Sequence, residues 1–292
     1  MTLPRSAVSH YRQQQLIAVS TAQEVDALWG RMTDDFDESW SRIAAGVFDA
    51  TAAGQYAAAV SGVAYVGTVL AETGVEAPAV ARVSPIRFAG GSTDGGELDS
   101  LLSGSVVKAK QAVAEGLAPA LALTAARGWL QSVVMDTVRD ADRQAVGAGI
   151  TVRPKVQGWV RMLNPPSCKF CIVLGGQFYR WNQGFQSHPH CDCRHIPSQE
   201  SDASDFTINP RAYFRTLDDK TQDRLFGKKD AQAIRDGADI NQVVNIRGRG
   251  FSGKQLRREP DLMTVDHIYD QATSREEAIE LLRMNGFISR YQ

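Results

Sequence analysis

All four cysteines of this 292-residue chain fall between Cys168 and Cys193, and the stretch from Cys168 to His195 also holds three of the five histidines. The order is Cys168-Lys-Phe-Cys171, then His188-Pro-His-Cys191-Asp-Cys193-Arg-His195. Thiolates and imidazoles at such spacing can surround one tetrahedral ion, and zinc is the ion whose ligand preferences they match. Cys-x-x-Cys lets two sulfurs chelate across a tight turn. His188-Pro-His-Cys191 repeats the spacing with an imidazole first, and Pro189 favours the turn. The expected ligands are Cys168, Cys171, His188 and Cys191, with Cys193 the leading substitute. The loop between Cys171 and His188 has the length found in structural zinc modules, so the expected site is closed and structural.

The other readings of these residues are weaker. Cys168-x-x-Cys171 lacks the strand and helix that frame a thioredoxin-like dithiol. Pro-Ser-Cys-x-x-Cys is not the zinc-deaminase pattern, and no His-x-Glu precedes it. For a metal-dependent hydrolase the close carboxylates are Asp192 and Glu200, neither at a defensible catalytic spacing. Asp266-His267 alone does not specify a nuclease. No P-loop and no Gly-x-Ser-x-Gly elbow is present. The expectation is that the chain is not an enzyme.

With 32 basic and 33 acidic residues, the chain has no global electrostatic attraction for nucleic acid or anionic membrane. Residues 1–15 lack the order of a signal peptide, and no apolar run reaches the length of a membrane span, the stretch 57–70 being short and glycine-interrupted. A soluble protein made in a reducing cytoplasm is expected, where paired cysteines indicate metal rather than disulfide.

Apolar residues recur at helical spacing from Thr21 to about Leu70, through Val25, Leu28, Trp29, Met32, Phe36, Trp40, Ile43, Val47 and Phe48. Thr21 and Glu24 form a capping-box pair that predicts the start of this helix. Gly54, Gly62 and Gly67, among alanines, suggest closely packed helices. Thr73 to Gly96, with Pro78, Pro85 and two glycine pairs, is a connection. Leu98–Val113 and Pro119–Gly147 read as helices. Ile150–Pro154 and Trp159–Met162 read as short extended segments leading into the metal-binding stretch. Ser198–Asp205 reads as a polar linker. Helices are expected over Pro210–Leu225 and Lys229–Asp236, the latter capped by Gly237, and over a terminal segment capped by Ser274-Arg-Glu-Glu277 and closed by Gly286. The aromatic run Phe178-Tyr-Arg-Trp181 can pack as the small core of the zinc module or stack on bases.

The expected fold is mainly α: an elongated N-terminal helical region (1–149), a small zinc-stabilised α+β module (150–200) and a C-terminal helical tail (201–292). The blocks Cys168-x-x-Cys171, Gly175-Gly-Gln-Phe-Tyr-Arg-Trp-Asn182 and His188-Pro-His-Cys191-Asp-Cys193, with the later Gln232–Asn245, resemble the Mu F-like head morphogenesis proteins of tailed bacteriophages, especially those of actinobacterial phages. The similarity covers roughly residues 152–250, and the N-terminal half matches by architecture only. The resemblance implies a minor capsid protein, present in few copies, that binds the portal or major capsid protein and resides in the virion head near the portal. Some relatives carry C-terminal enzyme domains, for which too few residues follow Arg258 here. A DNA-binding role would draw on Arg247, Arg249, Lys254, Arg257 and Arg258.

Overall fold

The computed structural model describes residues 3–92, 96–185, 187–248 and 271–284. It divides into two compact units, Met1–Met162 with Phe178–Phe206, and Leu163–Gln177 with Thr207–Gln292. The fold is mainly helical, with one three-stranded sheet. Among the described residues, no helix is long and apolar enough to cross a membrane.

Four helices build the first unit: α1 (Arg5–Trp29), α2 (Phe36–Glu72), α3 (Leu98–Ala114) and α4 (Pro119–Thr151). The apolar stripe read from the sequence is real but belongs to two helices. Val25 and Trp29 end α1, Phe36, Ile43 and Val47 lie on α2, and all five are buried in one core with Leu98, Leu102, Val106, Leu130 and Val134. Periodicity survives the turn because both arms of the hairpin face the same core. Asp35, which accepts a hydrogen bond from the Glu38 amide at 3.0 Å, starts α2.

The capping box expected at Thr21 does not form. Thr21 lies inside α1, and its hydroxyl donates to the Ile17 carbonyl, the i−4 bond open to a mid-helix threonine. Its buried face meets Gly54 of α2. A Cβ on Gly54 would overlap the Thr21 hydroxyl and come within 2.8 Å of Cγ2. Gly104 likewise admits Trp129, and Gly149 admits Val66, at 2.8 and 2.9 Å from a would-be Cβ. The close packing suggested by the glycines is therefore present at Gly54. We expect Gly54→Ala to destabilise the unit by about 1–2 kcal/mol, overpacking outweighing the gain in helix propensity. Adding Thr21→Ala should recover most of that loss. Additive effects in a denaturation double-mutant cycle would contradict this packing account.

Among the described residues of 73–97 there is no long helix, as expected, and one 3-10 turn at Pro85–Phe88. The extended segment expected at Ile150–Pro154 is instead the end of α4 and the turn after it, because the helical ladder continues until the Val152 amide bonds the Ala148 carbonyl. Strand β1 (Gly158–Met162) is the centre of an antiparallel sheet, flanked by β2 (Phe178–Arg180) and β3 (Arg194–Ser198). Trp159 sits opposite both Tyr179 and Pro197. A side chain at Gly158 would collide with the Tyr179 carbonyl, so glycine permits this close pairing. Both β1 and β3 are buried along their whole length, although they contain Arg161, Arg194 and His195.

Among the described residues, the second unit holds α5 (Lys169–Leu174), α6 (Pro210–Thr216), α7 (Asp219–Phe226), α8 (Lys228–Arg235), α9 (Ile240–Gly248) and α10 (Arg275–Met284). One helix was expected over Pro210–Leu225. It is split because Asp218 caps a new start, its carboxylate accepting from the Thr221 amide at 2.8 Å. Phe214 and Phe226 then pack edge to face at 5.1 Å. Gly237, at φ 112°, closes α8 as expected, with the Ala238 amide bonded back to the Ala233 carbonyl. The expected cap of α10 is also present. The Ser274 hydroxyl accepts from the Glu277 amide, and Glu277 accepts from the Thr273 amide. Gly286, expected to close that helix, and His267 lie outside the described residues.

Candidate functional site

The candidate metal-ligating residues among those described are Cys168, Cys171, His188, Cys191 and Cys193. Cys168 and Cys171 belong to the second unit, and His188, Cys191 and Cys193 to the first. All four cysteines carry their sulfur as thiols rather than in disulfides.

In the second unit Cys168 is the N-cap of α5, its sulfur accepting from the Cys171 amide at 3.4 Å. Amide-to-sulfur bonds of this kind orient a Cys-x-x-Cys pair and offset thiolate charge. Cys171 is buried and Cys168 half-buried.

In the first unit the turn expected at Pro189 is present, with the Cys191 amide bonded to the His188 carbonyl at 2.9 Å. His190 takes φ 63° at its third position, the conformation of a type II turn with proline second. Helix α4 supports the segment. Asp136 accepts from the His190 amide at 3.0 Å, and the buried Arg143 guanidinium donates to the carbonyls of Cys191 and Cys193. Arg161 of β1 approaches the Cys191 sulfur at 3.8 Å. Positive charge beside sulfur favours the thiolate, the form that binds metal.

Beneath this segment is a set of buried charges that sequence periodicity missed. Asp142 of α4, fully buried, contacts His10 Nε2 at 2.9 Å and Arg194 Nε at 3.2 Å. The His10 ring stacks on Tyr65 at 4.1 Å, and Tyr65 donates to the His195 carbonyl at 2.9 Å. A Cβ on Gly62 would come within 2.7 Å of an Asp142 oxygen, so glycine also makes room for this carboxylate against α2. The available signal was Asp136-Thr-Val-Arg-Asp-Ala-Asp-Arg143, a dense run of charge in an otherwise apolar helix. Ser61 Oγ lies 3.3 Å from His10 Nδ1, which completes the connectivity of a Ser-His-Asp triad. Ser61 sits inside α2, where the neighbouring amides are bonded along the helix and are not available as an oxyanion hole, so we read the set as structural.

Burial and three neighbouring guanidiniums push the His195 imidazole well below its usual range. Burial, aided by Asp192, raises the Tyr11 phenol to about 12, and burial raises Tyr65 further above its ordinary value. A phenol whose pKa is raised in the fold holds its proton while the unfolded chain releases it. The contribution of Tyr11 to stability is therefore complete below about pH 10 and is lost as pH rises from there through about 12. Tyr11 and Tyr65 should still hold their protons at about pH 11 in the native protein. Absorbance at the phenolate band tests this, and ionisation of all seven with the fold intact would contradict it.

The other expected site features are distributed as follows. Asp192 accepts from the Tyr11 hydroxyl at 3.0 Å, and Glu200 pairs with Arg180 at 3.3 Å. Within the aromatic run, Tyr179 stacks on Trp159 at 4.3 Å, the packing role expected of it, while Trp181 remains 52% exposed. Arg249, Lys254, Arg257 and Arg258, and the side chain of Arg247, lie outside the described residues.

Comparison with known proteins returns no curated protein and no solved structure that matches. Residues 1–219 match the model of the VG15 protein family. That span takes in α1–α4, which the resemblance read from the sequence covered by architecture alone, together with the whole cysteine and histidine segment. On a match over most of its length, the chain belongs to the VG15 protein family, a phage-associated family.

Proposed function

We propose that this chain is a minor capsid protein of a tailed phage, of the Mu F-like head morphogenesis type, which binds portal and inner capsid subunits and holds a structural zinc ion. Membership of a phage-associated family over residues 1–219 is the observation that carries this reading. It is made in the host cytoplasm and placed in the head near the portal. Its role is binding rather than catalysis, and the side chains of Asp192 and Glu200 are already engaged by Tyr11 and Arg180.

The surface of α2 supports a binding role. From Ala50 to Ala71 the helix has no charged residue, although Ala53, Tyr56, Ala57, Val60 and Ala64 are exposed. A helix face left to water ordinarily carries charge, and an uncharged one suits a protein partner. The zinc is supported by donor chemistry. The candidate ligands are Cys168, Cys171, His188, Cys191 and Cys193, as thiolates and a neutral imidazole, and a closed ligand set would leave no open position for a reacting water.

Co-expression with the portal protein of the same phage, followed by purification of the portal ring, tests the assembly role. Co-purification of this chain, together with its peptides in the mass spectrum of purified heads, is expected. Its absence from both ring and head would refute the proposal.

A further inference from the structure

We propose that the first unit binds a nucleobase in the cleft formed by the C-terminal half of α4, the sheet residues Trp159 and His195, and the 181–185 turn. The cleft encloses about 510 Å³, and all its lining residues belong to the first unit. Trp159, Phe185 and His195 line it, with ring centroids 4.3–5.1 Å apart. Trp181 lines it too but is half exposed, a large apolar ring left uncovered beside an open space. Trp159, Phe185 and His195 pack on one another, and Tyr179 also covers Trp159 at 4.3 Å, so the half-exposed Trp181 is the face left for a flat ligand, and stacking on tryptophan is tolerant of base identity.

The polar groups narrow the ligand further. Gln144 and Asn182 line the cleft, and a side-chain amide of either kind can donate and accept along the edge of a heterocycle. Arg143 and Asp140 also line it and form an ion pair, so their charges offset and the cleft suits a neutral ring rather than an anion. His195 Nδ1 is buried and has no hydrogen-bond partner within the protein. A phosphate attached to the ring would remain outside, where the exposed Arg180 adjoins Trp181. The ring can come from a mononucleotide or from an unpaired base in a single strand. This inference uses neither the zinc nor the head-assembly reading.

The full chain is titrated with dAMP and dTMP, with twelve-nucleotide single strands of each base, and with the corresponding duplex, read by calorimetry and by quenching of tryptophan fluorescence. Binding of the mononucleotides, or of the strands alone, is expected, the first identifying a free nucleotide and the second a base within a strand. Trp181→Ala should weaken it about tenfold, with Trp181→Phe restoring most of the affinity. Gln144→Ala, on the exposed face of α4, gives a second variant that leaves the aromatic lining in place. No binding of either probe at millimolar concentration overturns the proposal. So does affinity unchanged in both Trp181→Ala and Gln144→Ala, or duplex bound as tightly as the single strand.

Discussion

Asp142→Ala should destabilise the first unit by about 3–5 kcal/mol, the cost of breaking a buried ion pair by removing one partner. The carboxylate is completely buried between His10 and Arg194. Without it, Arg194 remains buried near Arg143 and Arg139 with its main compensating charge gone. Even with Asp142 present, burial and then Arg143 lower the Arg194 pKa to about 10. The His10 imidazole loses the partner of its Nε2. A melting temperature lower by on the order of 10 °C is expected. Removing charge from both sides, as Asp142→Ala with Arg194→Met, should recover part of the loss, because a buried pair replaced by apolar groups is far less costly than a half-pair. A loss under about 1 kcal/mol for Asp142→Ala would show that water reaches this carboxylate and that the network does not hold the helices to β3.

Cys171→Ser should abolish binding of the proposed zinc and cooperative unfolding of the segment that contains the cysteine. A structural zinc contributes apparent binding free energy on the order of 10 kcal/mol to small modules, and in such modules that energy is folding energy. Elemental mass spectrometry of the wild-type chain should find about one zinc, and Cys168→Ser should behave as Cys171→Ser does. His190→Ala should keep the metal, since His190 is not among the candidate donors. Wild-type protein purified without chelator and containing no zinc would end the metal assignment but leave the family membership untouched. Zinc retained in Cys171→Ser, with an unchanged melting profile, would move the ligand set away from Cys-x-x-Cys.

Local signals in the sequence were read correctly where the physics is local. Gly237 closes α8 because a left-handed residue there costs glycine nothing, and Ser274 with Glu277 starts α10 through bonds that span four residues. The turn at Pro189 is equally short-range, whereas the helix that Cys168 caps departs from the expectation that none frames Cys-x-x-Cys. Thr21 and Glu24 show the limit of such signals. The same pair can cap a helix or lie inside one, and the choice fell to Gly54, whose missing side chain lets α1 pack down on α2 at Thr21.

The sequence by itself determined the helical class, the position of β1 and the grouping of the soft donors, because each follows from composition or from neighbours a few residues apart. Tertiary structure alone decided that one apolar stripe would fold back as α1 and α2, and that residues 163–177 would join the chain beyond 207 in a separate unit. It also decided which charges would be buried. Asp142 resembles any surface aspartate until His10 from α1 and Arg194 from β3 meet it. A charge can leave water only where partners brought from distant parts of the chain replace its hydration, and no local window contains that information.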